Sequence, residues 1–300
     1  MHRFRLLHLR REAPRDRLRV DPQLWEAEDT IGSMAETKEI QSPGSKFTEV
    51  MDAAARLPGV RINRAAYLRA ALKRHCSEEQ IERAVAESPA AAGIPFGAIK
   101  AVANDSIKYE TAKAATLSAV AGIPGGFAII GTVPADLAQY FGHVLRIAQK
   151  LAYIYSWPDL FDDDGEELDD ATTGILTLFV GVMFGVQMAQ SGVAKVSAMI
   201  AGQVLKKLPQ QALTKGAIYP VVKKVAVLLG VSMTKQMFAG GVAKIIPVLG
   251  AVLSGGLTLA TFLPMSKRLQ KHLASLELTK PGQRAGDEEI IEAVLVDNVP

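Results

Sequence analysis

Asp136, His143, Arg146 and Lys150 are spaced seven, three and four residues apart, the spacing that places side chains on one face of a helix. A carboxylate, an imidazole and two cations on one stripe could bind an anionic head group. They could also move a proton, because imidazole titrates near neutral pH. The plainer expectation is a solvated or salt-bridged face, with Asp136 set in the first helical turn by the helix dipole.

Other chemistry is sparse. Gly126 to Gly131 has the glycine spacing of a phosphate loop, but the lysine that should follow is absent and no strand pattern precedes it. Eight carboxylates crowd Asp159–Asp170. With Gly165 as the sixth residue of a calcium loop, Leu160 and Ala171 fall at the first and last ligand positions, so the run reads as an acidic solvated turn. No histidine is spaced with another, or with Cys76, as a zinc pair requires. Cys76 is the lone cysteine, which excludes an intrachain disulfide. The expectations are no catalytic residue, metal or cofactor, and no nucleic acid as partner.

Charge is distributed very unevenly. From Ala171 to Ser275 there is no aspartate or glutamate, yet there are ten lysines and one arginine in a strongly apolar background. Such a segment suits an anionic surface, with phospholipid headgroups the leading candidate. Pairing between an acidic and a basic half is the alternative. Lys206, Lys207, Lys223, Lys224, Lys267, Arg268 and Lys271 are the residues expected to face that surface. The tail from 277 to 300 is acidic, with six carboxylates.

The elements that must position these residues read as helices. Three short amphipathic helices fill 45–88, with Asn63 capping one and Ser77-Glu-Glu-Gln80 opening another as a capping box. A long helix follows Pro95 and ends before Gly122-Ile-Pro-Gly-Gly126. The stripe-bearing helix restarts at Thr132-Val133-Pro134 and runs to about Tyr155. Its apolar face is Leu137, Phe141, Val144, Leu145, Ala148, Leu151, Ala152 and Tyr155. Val60-Arg61-Ile62 is too short to promise a strand. Residues 114–135, 171–194 and 245–266 carry no charge and are long enough to cross a bilayer on length alone. Glycine and proline interrupt them, so buried central helices are expected, with re-entrant insertion into one leaflet as the alternative. Gly181 and Gly185 sit one turn apart and suggest a close helix crossing, with 247–263 as partner. Residues 1–33 hold seven arginines and no lysine. They read as an extension ahead of Met34 or as an arginine-rich arm, and disorder is expected over 1–44.

Gly122-Ile-Pro-Gly-Gly126, Pro134-Ala-Asp-Leu137, the Arg146 helix and Tyr153-Ile-Tyr-Ser-Trp157 together resemble the EcsC family of bacterial proteins. Phe184-Gly-Val186, Thr214-Lys-Gly-Ala-Ile-Tyr-Pro220, Thr234-Lys-Gln-Met-Phe-Ala239, Ile246-Pro-Val-Leu-Gly250 and Ser254-Gly-Gly256 agree with it. The likeness covers about 45–275. One departure is Ser156, where the family tends to carry glycine. The resemblance implies an all-helical, often membrane-associated bacterial protein whose name comes from a gene beside those of an ABC transporter. It carries over no catalytic residue.

Taken together, these features predict an all-α, compact multi-helix bundle with apolar central helices over 45–276. The first reading of function is a cytoplasmic accessory or scaffold, peripheral to the inner membrane, whose partner is an anionic surface or a membrane protein. The rivals are a carrier or enzyme for a lipid-like anion on the Asp136/His143/Arg146/Lys150 face, and a soluble homo-oligomeric scaffold.

Overall fold

The computed structural model describes residues 42–120, 129–130, 133–161, 168–202, 207–239 and 255–280. They form an all-α bundle. In chain order the helices are α1 Pro43–Ala55, α2 Arg64–Leu72, α3 Glu78–Ala86, α4 Phe96–Val120, α5 Ala135–Ile154, α6 Asp170–Met183, α7 Gln187–Gly202, α8 Gln210–Thr214, α9 Tyr219–Ala239 and α10 Gly255–Ala274. A 3₁₀ turn, Glu277–Thr279, follows. Before α5, Ile129–Ile130 pairs antiparallel with Val133–Pro134. Pro134 therefore belongs to this short pairing and not to the first helical turn expected for it.

Local chemistry fixes the first helices. Ser42 caps α1 by accepting from the Ser45 N–H, with Pro43 at the first helical position. Ordered helix thus begins two residues before the expected boundary at 45. Asn63 accepts from the Ala66 N–H to start α2, and Ser77 and Gln80 close the expected capping box on α3. Arg64 secures the far end of α3. Its guanidinium donates to the carbonyls of Ala84, Val85, Glu87 and Trp157 at 2.8–3.2 Å. The cation thereby satisfies carbonyls that a helix C-terminus leaves without partners.

Two helices lie at the centre. Helix α5 packs against α1, α2, α4, α6 and α10, and α6 packs against α5, α7, α8, α9 and α10. Every residue of the expected α5 apolar face is buried, and so are Ala138, Tyr140, Ile147, Gln149 and Tyr153 on its other sides. Gln149 shows how a polar side chain survives there. Its amide accepts from the Ile62 N–H at 2.8 Å and donates to the Val60 and Leu145 carbonyls at 3.0 and 2.9 Å. That satisfies the extended segment Val60–Ile62 with a side chain in place of a strand partner.

The uncharged run 171–194 is not one span. Helix α6 stops at Met183, and α7 starts at Gln187. Gly185 adopts φ +85, and the Gly185 and Val186 N–H groups return to the Val182 and Gly181 carbonyls. This left-handed cap reverses the chain. Among the described residues no helix is long and apolar enough to cross a membrane. Residues 121–128 and 240–254 lie outside the described set, and so do parts of the other two uncharged runs.

Helix α5 ends in the same kind of cap, but with serine. Ser156 has φ 69, and the Ser156 and Trp157 N–H groups return to the Tyr153 and Ala152 carbonyls. This is the turn at which the sequence departs from the pattern it resembles. Serine holds it because its hydroxyl accepts from the buried Ala90 N–H at 2.9 Å. Ser156→Ala keeps the backbone strain and orphans that N–H, so urea unfolding is expected to show a loss of about 1–3 kcal/mol. Ser156→Gly should lose about 1 kcal/mol less. Equal losses would mean that backbone strain plays no part.

The C-terminal tail does not begin as free chain. Leu276, Leu278 and Thr279 are buried, and the 3₁₀ turn packs against α7. The acidic run before α6 also has structural ends. Asp169 caps α6 by accepting from the Ala171 and Thr172 N–H groups, and Asp159 accepts from the Tyr153 hydroxyl at 3.1 Å and the Phe161 N–H at 3.3 Å. Residues 162–167 lie outside the described set.

Candidate functional site

Three of the four stripe residues converge on a carboxylate that spacing along α5 could not reveal. Glu110, on α4, is fully buried. Lys150 Nζ donates to Glu110 Oε1 at 2.6 Å. Arg146 Nε reaches both carboxylate oxygens at 3.1–3.2 Å, and its Nη2 reaches Oε1 at 3.1 Å. His143 Nδ1 lies 3.4 Å from Oε2. Of the two plain alternatives the stripe is therefore the salt-bridged face and not a solvated one. It is the seam between α4 and α5, with the His143, Arg146 and Lys150 side chains only 10, 16 and 11% exposed. Asp136 occupies the second position of α5, and its side chain lies outside the described set.

Burial alone would raise the Glu110 carboxyl. Hydrogen bonds from His143, Arg146 and Lys150 overcome it and hold the group well below the usual carboxylate range. Aromatic rings complete the enclosure. The Lys150 ammonium lies 5.0 Å from the Tyr109 ring centre and 5.8 Å from that of Tyr67, within reach of a cation–π attraction. The Tyr67 hydroxyl is 2.8 Å from Ser106 Oγ on α4, and burial pushes its ionisation upward. The cluster ties α2, α4 and α5 together. An external anion here would have to compete with Glu110 for the same donors.

Sequence reasoning missed Glu110, although a signal existed. Ala103, Ile107, Glu110 and Ala114 follow helical spacing, and all four are buried. A carboxylate in an otherwise apolar stripe requires cationic partners.

The cations expected to face an anionic surface have separate fates. Lys206 lies outside the described set. Lys207 is exposed ahead of α8. Arg268 donates to the Met183 carbonyl at the end of α6, a helix-capping role. Lys267 and Lys271 are exposed on α10, and Lys223 and Lys224 on α9. The Lys223 ammonium sits 4.7 Å from the Tyr219 ring centre. Among the described residues no carboxylate lies within ion-pair distance of Lys223 or Lys224. Just beyond them, Val227 and Leu228 are 43 and 44% exposed.

Cys76 is half-buried between α2 and α3, and burial pushes its thiol up, away from the thiolate that a nucleophile requires. Among the described residues no cluster of histidine, cysteine and carboxylates could hold a metal ion. No protein-family model, curated protein or solved structure matches the chain.

Proposed function

We propose that the protein is a non-enzymatic, membrane-peripheral accessory or scaffold of the EcsC type, and that it docks on anionic bilayers through the outer face of α9. The observation that carries this reading is the pairing of Lys223 and Lys224 with exposed Val227 and Leu228 one turn further on. Cations with no carboxylate partner among the described residues, next to exposed aliphatic groups, match the two attractions that hold a helix at a lipid interface. The acid-free stretch around this helix supports it, because no carboxylate of 171–276 repels the same surface. The engagement of His143, Arg146 and Lys150 by Glu110 favours a structural role for that stripe over a carrier or catalytic one.

Flotation tests the proposal. The protein should float with phosphatidylglycerol vesicles and not with phosphatidylcholine vesicles, and added salt should weaken the association by screening. Each lysine near such a surface contributes about 1 kcal/mol. Lys223→Glu with Lys224→Glu should therefore reduce partitioning at least about tenfold, while circular dichroism stays unchanged. Equal binding to neutral vesicles, or binding indifferent to the double reversal, rejects α9 as the docking face.

A further inference from the structure

A second cationic site lies where α10 packs on α4, and it involves none of the α9 residues. Lys100, Asn104 and Lys108 follow one another at four-residue intervals along α4, on one face of the helix. Lys267 of α10 reaches across to this face and donates to Asn104 Oδ1. It also donates to Gln270 Oε1 at 3.0 Å, and Gln270 Nε2 donates to Asn104 Oδ1 at 2.9 Å. Gln270 is buried and holds this arrangement from beneath.

The charge here is unbalanced. Among the described residues no carboxylate lies within ion-pair distance of Lys100, Lys108 or Lys267. Glu110, two residues beyond Lys108, is taken by the α5 cations. Asp105 stands three residues before Lys108, a neighbouring position on the helix, but no ion pair joins the two. Partial burial and the nearby Lys108 and Lys100 charges push the Lys267 ammonium below its ordinary value. Two neutral amides thus hold a lysine among like charges, and an ammonium has three donors to give.

We propose that Lys100, Lys108 and Lys267, with Asn104 and Gln270, form a binding site for a phosphate group. The Lys267 ammonium on two amides, with Lys100 and Lys108 one turn to either side of Asn104 on the same helix face, offers the point-charge donors that a phosphate oxyanion accepts. The phosphate can belong to a soluble phosphorylated compound or to a phospholipid headgroup. The site goes beyond the α9 docking face and does not depend on it.

The test compares the full chain with Lys267→Gln and Lys100→Gln/Lys108→Gln. Melting is followed in inorganic phosphate against sodium chloride of equal ionic strength. Wild-type protein should melt higher in phosphate. Both variants should fold, melt in chloride at the wild-type temperature or above it because a repulsion is gone, and bind phosphate about tenfold or more weakly. Flotation with phosphatidic acid vesicles, carried out in the Lys223→Glu/Lys224→Glu background so that α9 does not contribute, then separates the sources. Residual flotation that Lys267→Gln abolishes assigns the site to a headgroup, and no residual flotation, or flotation that Lys267→Gln leaves unchanged, assigns it to a soluble phosphate compound. A phosphate effect no larger than that of chloride, or one equal in all three proteins, overturns the proposal. Lower melting of the variants in chloride would also overturn it, because the lysines would then be stabilising the fold itself.

Discussion

Glu110→Gln is expected to lower the unfolding free energy by about 3–5 kcal/mol, the usual consequence of removing one partner from a buried ion cluster. Glutamine preserves the shape and some hydrogen bonding. It leaves the Arg146 and Lys150 cations facing each other with no neutralising charge, in a site where water cannot compensate. The pH dependence follows from the direction of the Glu110 shift. In the unfolded chain a glutamate carboxyl titrates near 4.3, and in the folded protein it titrates lower. Its stabilising contribution is therefore complete above the unfolded value and fades as pH falls through the folded one. Wild-type protein should lose stability steeply on acidification below about pH 4, and Glu110→Gln should show a shallower loss. Urea titrations at pH 7 and pH 3.5 measure both. A loss under about 1 kcal/mol at pH 7 would mean that the cluster is hydrated and contributes little to holding α4 on α5.

The same cluster shows what a sequence reveals and what it conceals. Periodicity places His143, Arg146 and Lys150 together because helical geometry is local, with each residue positioned by the turn before it. Periodicity does not say what faces the stripe. Glu110 is more than thirty residues away, across a helix end and the segment 121–128, and only packing brings it there. Asn63, Ser77 and Gln80 were legible for the same reason that the stripe was. A cap is a bond between a side chain and a backbone N–H two or three residues away. Arg64 was not legible, because its four carbonyl acceptors come from 20 to 93 residues further along. The all-α class was readable from repeated local signals. Which helix faces were open to solvent was not. Helix α5 carries a polar stripe and is nevertheless enclosed, whereas α9 shows Val227 and Leu228 outward. Lys100 and Lys108 drew no notice in the sequence, because without α10 beside them they are two ordinary surface lysines.

Gly181 and Gly185 looked alike as a glycine pair one turn apart, and the structure gives them different work. A Cβ added at Gly181 would lie 2.6 Å from Ala189 Cβ and 2.7 Å from Val225 Cγ1. The close approach at Gly181 is thus to α7 and α9; residues 247–254 of the expected partner lie outside the described set, and α10, which begins at Gly255, also packs on α6. A Cβ at Gly185 would have the Arg268 guanidinium as its nearest described neighbour, at 3.6 Å. What that position requires is a positive φ. Gly181→Leu should therefore cost more than about 3 kcal/mol, since the side chain must part α6 from two neighbours at once. Even Gly181→Ala should be destabilising, against the gain of about 1 kcal/mol that alanine brings to a helix interior. Gly185 should answer to conformation instead. Gly185→Ala should cost about 1–2 kcal/mol, and Gly185→Asn less, because asparagine tolerates the left-handed region although it is larger. Urea midpoints for the four variants settle the order. A neutral Gly181→Ala would show that α6 has room against α7 and α9. A Gly185→Asn worse than Gly185→Ala would show that size, and not backbone angle, selects glycine at the end of α6.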